Sequence, residues 1–470
     1  MSLLTTLQSA ASSLSVFESA MNTVQNNVTN ASVPNYTSQT PSLASTWTGV
    51  AIKGTLDARN SYAEHAVWDA NTNLGQASAL ADNLSIIQSQ FDVSGSTGVP
   101  GALSKAFTAF SAWATSPTDS TARNQVLVAA HQVADAFNQA SQSMQQSRQQ
   151  VDRQLSDAVS QINSIASKIV DVNVQIQNDG GTNPSLQAQL YAELQHLSQF
   201  TTISVHIEAN GTATVLMDGE VPLAVGRTAS PITLNWVNAP TPANPSAPPS
   251  AQITALSGTD FTLAASQGGQ LAGLLQLRNS TIPEMLGDQM QQGSLNTLAQ
   301  AFADRVNTIL SSGQAAAGPP PIPGKPVFTY TPGSPTAVAA SLAVDPTLQG
   351  TDLAAIAPGG AANGIANQLA GLSNSSNPAD QVNGATYTGF YSKIAADLGS
   401  QASAASAKKS SQTDQVTQAE NLRSDISGIS LNEQAALLMQ YQQAYQASTQ
   451  LVQVINGLTS DLMNMMQGRS

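Results

Sequence analysis

From Leu3 onward, small or apolar residues return in steps that alternate four and three: Leu3, Leu7, Ala10, Leu14, Phe17, Met21, Val24, Val28 and Ala31. Steps averaging 3.5 residues keep them all on one helical stripe, so this segment reads as a coiled-coil strand in need of a partner helix. The opposite end of the chain repeats the rule through Leu437, Tyr441, Ala444, Ser448, Leu451, Ile455, Leu458, Leu462 and Met465. Ser430 and Glu433 make a capping box ahead of this second seam, and Gly428 breaks the chain before it. Residues 1–52 carry a single charged side chain, Glu18, and residues 434–468 carry only Asp461. Soluble coiled coils keep charges beside the seam to stay wetted and to choose partners. Here Ser, Thr, Gln and Asn take those places, which suits helices buried on more than one face. Their intrinsic helicity is weak. Both ends are therefore expected to be disordered in the free monomer and to fold as they pack.

The scarcity of charge extends to the whole chain, in which 10% of 470 residues are charged, against roughly 25% in typical soluble proteins. Hydroxyl and amide surfaces cost less to desolvate than ions when copies pack side by side. A net charge of −13 with 16 Lys+Arg, and no basic cluster beyond Lys408-Lys409, argues against nucleic acid and anionic membranes as partners. The absence of cysteine excludes disulfides and thiolate metal sites. The N-terminal segment has neither the positive nor the continuous apolar region of a signal peptide. No apolar run approaches the ~18 residues of a membrane span. Export would require a route without a cleaved signal.

Between the ends, Ser116-Pro117-Thr118-Asp119 reads as an N-cap, a first-turn proline and a first-turn acid. The apolar series that follows runs through Val126, Ala130, Val133, Phe137, Ala140 and Met144, then Val151, Leu155, Ala158, Ile162, Ile165, Ile169, Val172 and Ile176. Its single slip, between Ser147 and Leu155, reads as a stutter inside one long helix, which Asn178-Asp179-Gly180-Gly181 ends. After Phe200 the period changes to two, in Ile203–Ile207, Thr212–Leu216 and Ile232–Trp236, with hairpin turns at Asn210-Gly211 and Asp218-Gly219. Residues 239–250 read as a linker. Helical pattern returns from Leu271 to Leu310, yields to a Pro/Gly stretch at 318–335, and resumes over about 390–427.

No catalytic constellation emerges. His65, His131, His196 and His206 are scattered without ligand spacing. Gly324-Lys325 lies in a proline run that cannot form a phosphate loop, and Gly268-Gly269 with Gly273 lacks dinucleotide spacing. Ser406 and Lys409 match a serine–lysine pattern by letters alone, on a polar helix without companion motifs. Tyr441 falls on the seam and is read as packing. No cofactor or metal is expected.

The run Gln25 to Tyr36 contains Asn26, Asn27, an apolar Val28, Asn30-Ala31, then Pro34-Asn35-Tyr36. It resembles the N-terminal signature of bacterial flagellar rod, hook and hook-associated proteins, with Asn35 where glycine is usual; Asn is the next-best residue for a left-handed turn. The stretch from Gly428 to Ala436, and Gln440 to Ala447 with Gln443, Ala444 and Tyr445, resembles that family's closing helix. Residues 151–177, Gly269–Arg278 and Ala303–Asn307 resemble the hook-associated protein 1 (FlgK) family, with a weaker match at Ala343–Pro346. The resemblance implies an adaptor ring between hook and filament, exported by the flagellar type III apparatus to an extracellular position. It implies as partners further copies of the chain, the hook protein, the second junction protein (hook-associated protein 3) and an export chaperone on the C-terminal region.

The expected fold is mainly α, multidomain and elongated. A terminal coiled-coil domain (1–45 with 430–470) would line a channel, a long-helix body would combine 46–200 with 268–429, and a β-rich insertion (201–267) would project outward. Two other readings stand beside this one: another axial protein such as a hook or second junction protein, or a secreted enzyme with an axial-type export end.

Overall fold

A computed structural model describes residues 3–467 apart from 47–48, 92–94, 182, 238–249, 256–261, 264–267, 289, 319 and 332. In chain order, α1 (Leu3–Thr29) leads into a hairpin of β1 (Gln39–Thr46) and β2 (Gly49–Asp57). Four helices follow: α2 (Ser61–Gln88), α3 (Gly98–Thr115), α4 (Ser120–Asp179) and α5 (Pro184–Phe200). Next come strands β3 (Ile203–Ile207), β4 (Ala213–Met217), β5 (Val221–Val225), β6 (Thr228–Ala229), β7 (Ile232–Val237), β8 (Ser250–Ala255) and β9 (Thr262–Leu263). Helix α6 (Gly269–Gln276) passes through a π turn (Leu277–Thr281) into α7 (Ile282–Leu286), and α8 (Ser294–Ser312) follows. Short pieces β10 (Gln314–Ala316), β11 (Ile322–Pro323), β12 (Phe328–Thr329), α9 (Val338–Ser341), β13 (Ala343–Val344) and α10 (Gly364–Gly371) precede α11 (Tyr387–Ser427) and α12 (Leu431–Gln467). The protein is mainly α, with small antiparallel sheets, as the sequence periods indicate. The expected linker at 239–250 lies, except for Ser250, outside the described residues.

The long central helix is unbroken over 60 residues. Every residue of the expected stripe is buried except Ala140, which is partly so. Ser147 is buried at the stutter and accepts a hydrogen bond from Gln90 Nε2 at 2.9 Å. The helix starts later than the expected cap at Ser116: Asp119 Oδ1 accepts from Thr121 N at 2.8 Å, so Asp119 is the capping residue. The Pro117 carbonyl, at 3.2 Å from Trp113 Nε1 and 2.9 Å from Arg123 Nε, is held in a turn outside the helix. At the other end Gly180 and Gly181 both take positive φ, and Gly181 N reaches Ile176 O at 2.9 Å, the αL ending that glycine permits.

Both expected hairpin turns are present. Asp218 and Gly219 have φ of 51° and 76°, the pair of positive values a two-residue turn between twisted strands requires. The strands after Phe200 nevertheless do not form one sheet. β3–β6 make a four-stranded antiparallel sheet, and β7–β9 make a separate three-stranded one. The apolar pattern of Leu271 to Leu310 is likewise two helical stretches, because Gly287 and Gly293, at φ of 82° and 84°, turn the chain between them. The hairpin β1–β2 was not anticipated; its alternation is masked by Ser and Thr on both faces.

Contacts divide the chain into two compact units. The first comprises 1–74, 162–231 and 412–470, and the second 75–161 and 232–411. This grouping cuts the chain at different places from the three domains expected, since the dividing points fall inside α2, α4 and α11 and between the two sheets. In the second unit the family-like stretches have visible structural work. Gly273 permits close packing on α2, where a Cβ would lie 2.8 Å from Gln76 O. Buried Arg278 binds Asp152 at 2.5 Å. Arg305 binds Asp380 at 2.6 Å, and Asn307 holds the edge of β12 through Val327 N, Phe328 N and Phe328 O at 2.8–2.9 Å.

Candidate assembly interface

In the first unit α1 packs along α12, with the end of α1 beside the start of α12. The two weak helix formers pack on each other within one chain. Mutual burial supplies the stabilisation that neither segment has alone. Ser430 caps α12, its hydroxyl oxygen 3.4 Å from Glu433 N.

The face that α1 buries drifts from the expected seam. Ala10 and Val24 are buried, Leu7, Leu14, Phe17 and Met21 are half-buried, and Val28 is exposed, while Val16, Ala20 and Asn27 are buried off the stripe. At ~100° per residue Val16, Ala20, Val24 and Asn27 fall on one side of the helix, so the buried face lies beside the expected seam. On α12, Ile455 is buried, Leu437 and Tyr441 are half-buried, and Leu451, Leu458, Leu462 and Met465 are exposed. That row of exposed aliphatic side chains is the unpartnered part of the seam in the single chain.

The signature residues fall into two groups. Asn27 is fully buried and joins three segments: its Nδ2 donates to Gln39 O and to Gln434 Oε1, both at 2.8 Å, and its Oδ1 accepts from Gln39 N at 3.0 Å. Buried Tyr36 donates to the same Oδ1 at 3.4 Å, and burial raises its hydroxyl pKa. Asn30 is half-buried and closes the last turn on Asn26 O at 2.9 Å. Asn26, Pro34 and Gln443 are exposed, whereas Ala444 and Tyr445 are half-buried along α12. Asn35 has φ of 61°, the left-handed conformation anticipated at this glycine-like position.

The joint between the helix pair and the rest of the first unit holds residues that sequence reasoning missed. Glu64 is 1% exposed and faces two arginines, with Arg59 Nη1 at 2.6 Å and Arg423 Nη1 at 3.5 Å. Arg59 also reaches Asn35 O at 2.8 Å and Asp57 at 3.5 Å, and lies over the Tyr191 ring at 3.8 Å. Arg423 binds the Asn35 side chain and Gln195 Oε1, and Ser38 N donates to Ser427 O at 3.0 Å. Two well-spaced Arg and one Glu look like surface residues in sequence; only the fold brings them together. Beside them lies a cavity of about 220 Å³ lined by Val33, Asn35, Glu420, Arg423, Ser427 and Gly428 among others. Among the described residues no group of three His, Asp or Glu side chains is arranged to hold a metal ion. His65 instead packs edge-on against Trp68, and His196 against Phe200.

The helical body decides the family. Residues 84–328, more than half of the chain, match the family model of the flagellar hook-associated protein FlgK helical domain. The chain belongs to the FlgK family. The Salmonella typhimurium flagellar hook-associated protein 1 is 24% identical over 355 residues, which cover 72% of this chain. The matched region spans 61% of that relative's length. The Escherichia coli flagellar hook-associated protein 1 is 23% identical, with 97% of this chain and 99% of the relative covered. The Bacillus subtilis flagellar hook-associated protein 1 is 24% identical, with 97% of each covered. Among solved structures, the flagellar hook junction protein FlgK from Burkholderia pseudomallei shares the fold with a TM-score of 0.64. It is 17% identical, covering 76% of this chain and 99% of that one. The interior stretches that pointed to FlgK, Gly269–Arg278 and Ala303–Asn307, lie inside the matched region. No helix among the described residues is long and apolar enough to cross a membrane.

Proposed function

We propose that this protein is a structural, non-enzymatic subunit of the bacterial flagellum that joins hook to filament. Copies polymerise into a short ring whose two surfaces fit two different helical lattices, contacting the hook protein below and a second junction protein above. The terminal pair α1–α12 forms the innermost, channel-lining layer. Leu3, Leu7, Leu14, Phe17, Met21, Val24 and Val28 on α1, with Leu437, Tyr441, Leu451, Ile455, Leu458, Leu462 and Met465 on α12, make up the assembly seam. Export through the flagellar type III apparatus carries the chain to its extracellular place, and a chaperone covers the exposed apolar face of 430–470 beforehand.

The observation that carries this reading is the row of exposed aliphatic residues on α12 in a chain of the FlgK family. Exposed apolar stripes of this kind mark surfaces that other chains cover. The test is complementation of a bacterial strain lacking its hook-associated protein 1. The wild-type chain should restore filament attachment, while Leu14→Asp and Leu451→Asp should be secreted yet absent from isolated hook–filament structures. Normal incorporation of both variants would overturn the interface, and failure of the wild-type chain to incorporate would overturn the junction role.

A further inference from the structure

Helix α6 does not run straight into α7. Between them Leu277–Thr281 forms a π turn, a local widening that worsens hydrogen-bond geometry and recurs at functional sites. The turn carries Arg278, which is 2% exposed, to groups from two other elements of the second unit. On α4, Asp152 Oδ1 lies 2.5 Å from Arg278 Nε. On β7, the Trp236 ring lies 5.1 Å from the Arg278 guanidinium carbon and is 43% exposed. Strand β8, the neighbour of β7, packs on the π turn.

Arg148 stands four positions before Asp152, so the two share a face of α4 one turn apart. That spacing ordinarily lets an arginine and an aspartate pair. Here Arg278 holds Asp152, and half-buried Arg148 has no hydrogen bond or ion pair with any described residue. Burial and the like charge of Arg278 lower the Arg148 pKa, against the opposing pull of Asp152. Arg153, exposed on the same turn as Asp152, adds a third cation. The next acid on α4, Asp157, lies more than a turn further on, and β7 and β8 carry no charged residue. Positive charge is thus in excess here, in a chain whose net charge is −13.

We propose that Arg148 is the contact residue of a site for a small oxyanion carrying a carboxylate or phosphate group. Arg278 supplies a fixed positive field, and the exposed Trp236 ring beside it supplies an apolar edge. The guanidinium fork of Arg148 offers paired N–H donors that match two oxygens of such a group. A bound oxyanion would offset the repulsion between the arginines and give the partly desolvated Arg148 the partner it lacks. The site lies in the helical body and does not depend on the junction role.

The test is thermal unfolding of the full chain in chloride buffer, and in inorganic phosphate or succinate at the same pH and ionic strength. General stabilisation by excluded phosphate acts on every variant alike, so the difference between variants reads the site. The wild-type melting temperature should rise saturably with at least one of the two anions. Arg148→Gln should melt no lower than wild type in chloride, because it removes an unpaired half-buried charge, and its anion response should fall several-fold. Arg153→Gln, exposed on the same helix, should keep most of the response. A rise with phosphate alone assigns a phosphate ligand and one with succinate alone a carboxylate; either supports the site. The site is overturned if wild type and Arg148→Gln respond equally, or if Arg148→Gln melts well below wild type in chloride, which marks an arginine already satisfied. An equal loss in Arg153→Gln, the sign of diffuse screening, overturns it as well.

Discussion

Replacing Glu64 by Gln tests whether the buried charge cluster holds the joint. Glu64 is 1% exposed and its carboxylate meets Arg59 at 2.6 Å and Arg423 at 3.5 Å. Removing one partner of a buried ion pair typically costs about 3–5 kcal/mol, because the other charge is left uncompensated out of water. Arg59 would retain Asn35 O, Asp57 and the Tyr191 face, and Arg423 would retain Asn35 and Gln195. Those contacts place the expected loss near the lower bound, about 3 kcal/mol. Urea unfolding gives the total, and amide hydrogen exchange gives the location, with faster exchange expected at residues 30–38, the start of α2 and the α11–α12 joint. The paired change Glu64→Leu with Arg59→Met removes that ion pair but leaves Arg423 facing the site, so it should recover only part of the loss. A Glu64→Gln loss below about 1 kcal/mol, or a double variant less stable than the single one, would refute the argument that an unpaired buried charge dominates.

Asn27→Ala strands Gln39 N, Gln39 O and Gln434 Oε1; at ~1–3 kcal/mol per unmet buried group and without full additivity, the loss should be about 3 kcal/mol. A double-mutant cycle with Gln434→Ala, read by urea unfolding, should give a coupling of about 1 kcal/mol; zero coupling would deny the contact. Burial pushes the Tyr387 hydroxyl up to about 12, so its contribution is complete below the ordinary value near 10 and is lost as pH rises through 12. Tyr387→Phe should therefore lose about 1 kcal/mol less than wild type between pH 8 and pH 11, measured by urea unfolding at each pH. Gly428→Ala places a Cβ 2.3 Å from Ser424 O, a backbone clash that should lower the melting temperature and raise exchange at the joint; an unchanged melting temperature would show that the turn yields freely.

The elements legible in the sequence are those whose signal is local. The stripe from Val126 to Ile176 specified one long helix through its stutter, because burying one face needs only the period of the residues themselves. Gly180-Gly181 and Asp218-Gly219 marked where the chain turns, because positive φ is open to few other residues. Asn35 told its own conformation for the same reason. The two terminal seams announced a pair of helices, and the FlgK-like stretches announced the family.

What the tertiary structure decided depends on residues far apart in the chain. Which face of α1 is buried follows from the position of α12, so Asn27, bonded to Gln39 and Gln434, and not Val28, became the linchpin. Arg59, Glu64 and Arg423 carry no pattern in sequence, since an ion cluster is a matter of distance in space and three separate segments had to converge before it existed. The residues after Phe200 alternate in both halves, but alternation records only that a strand has two faces; which strands share a sheet, and so where 203–229 parts from 232–263, was settled by partners the period does not name.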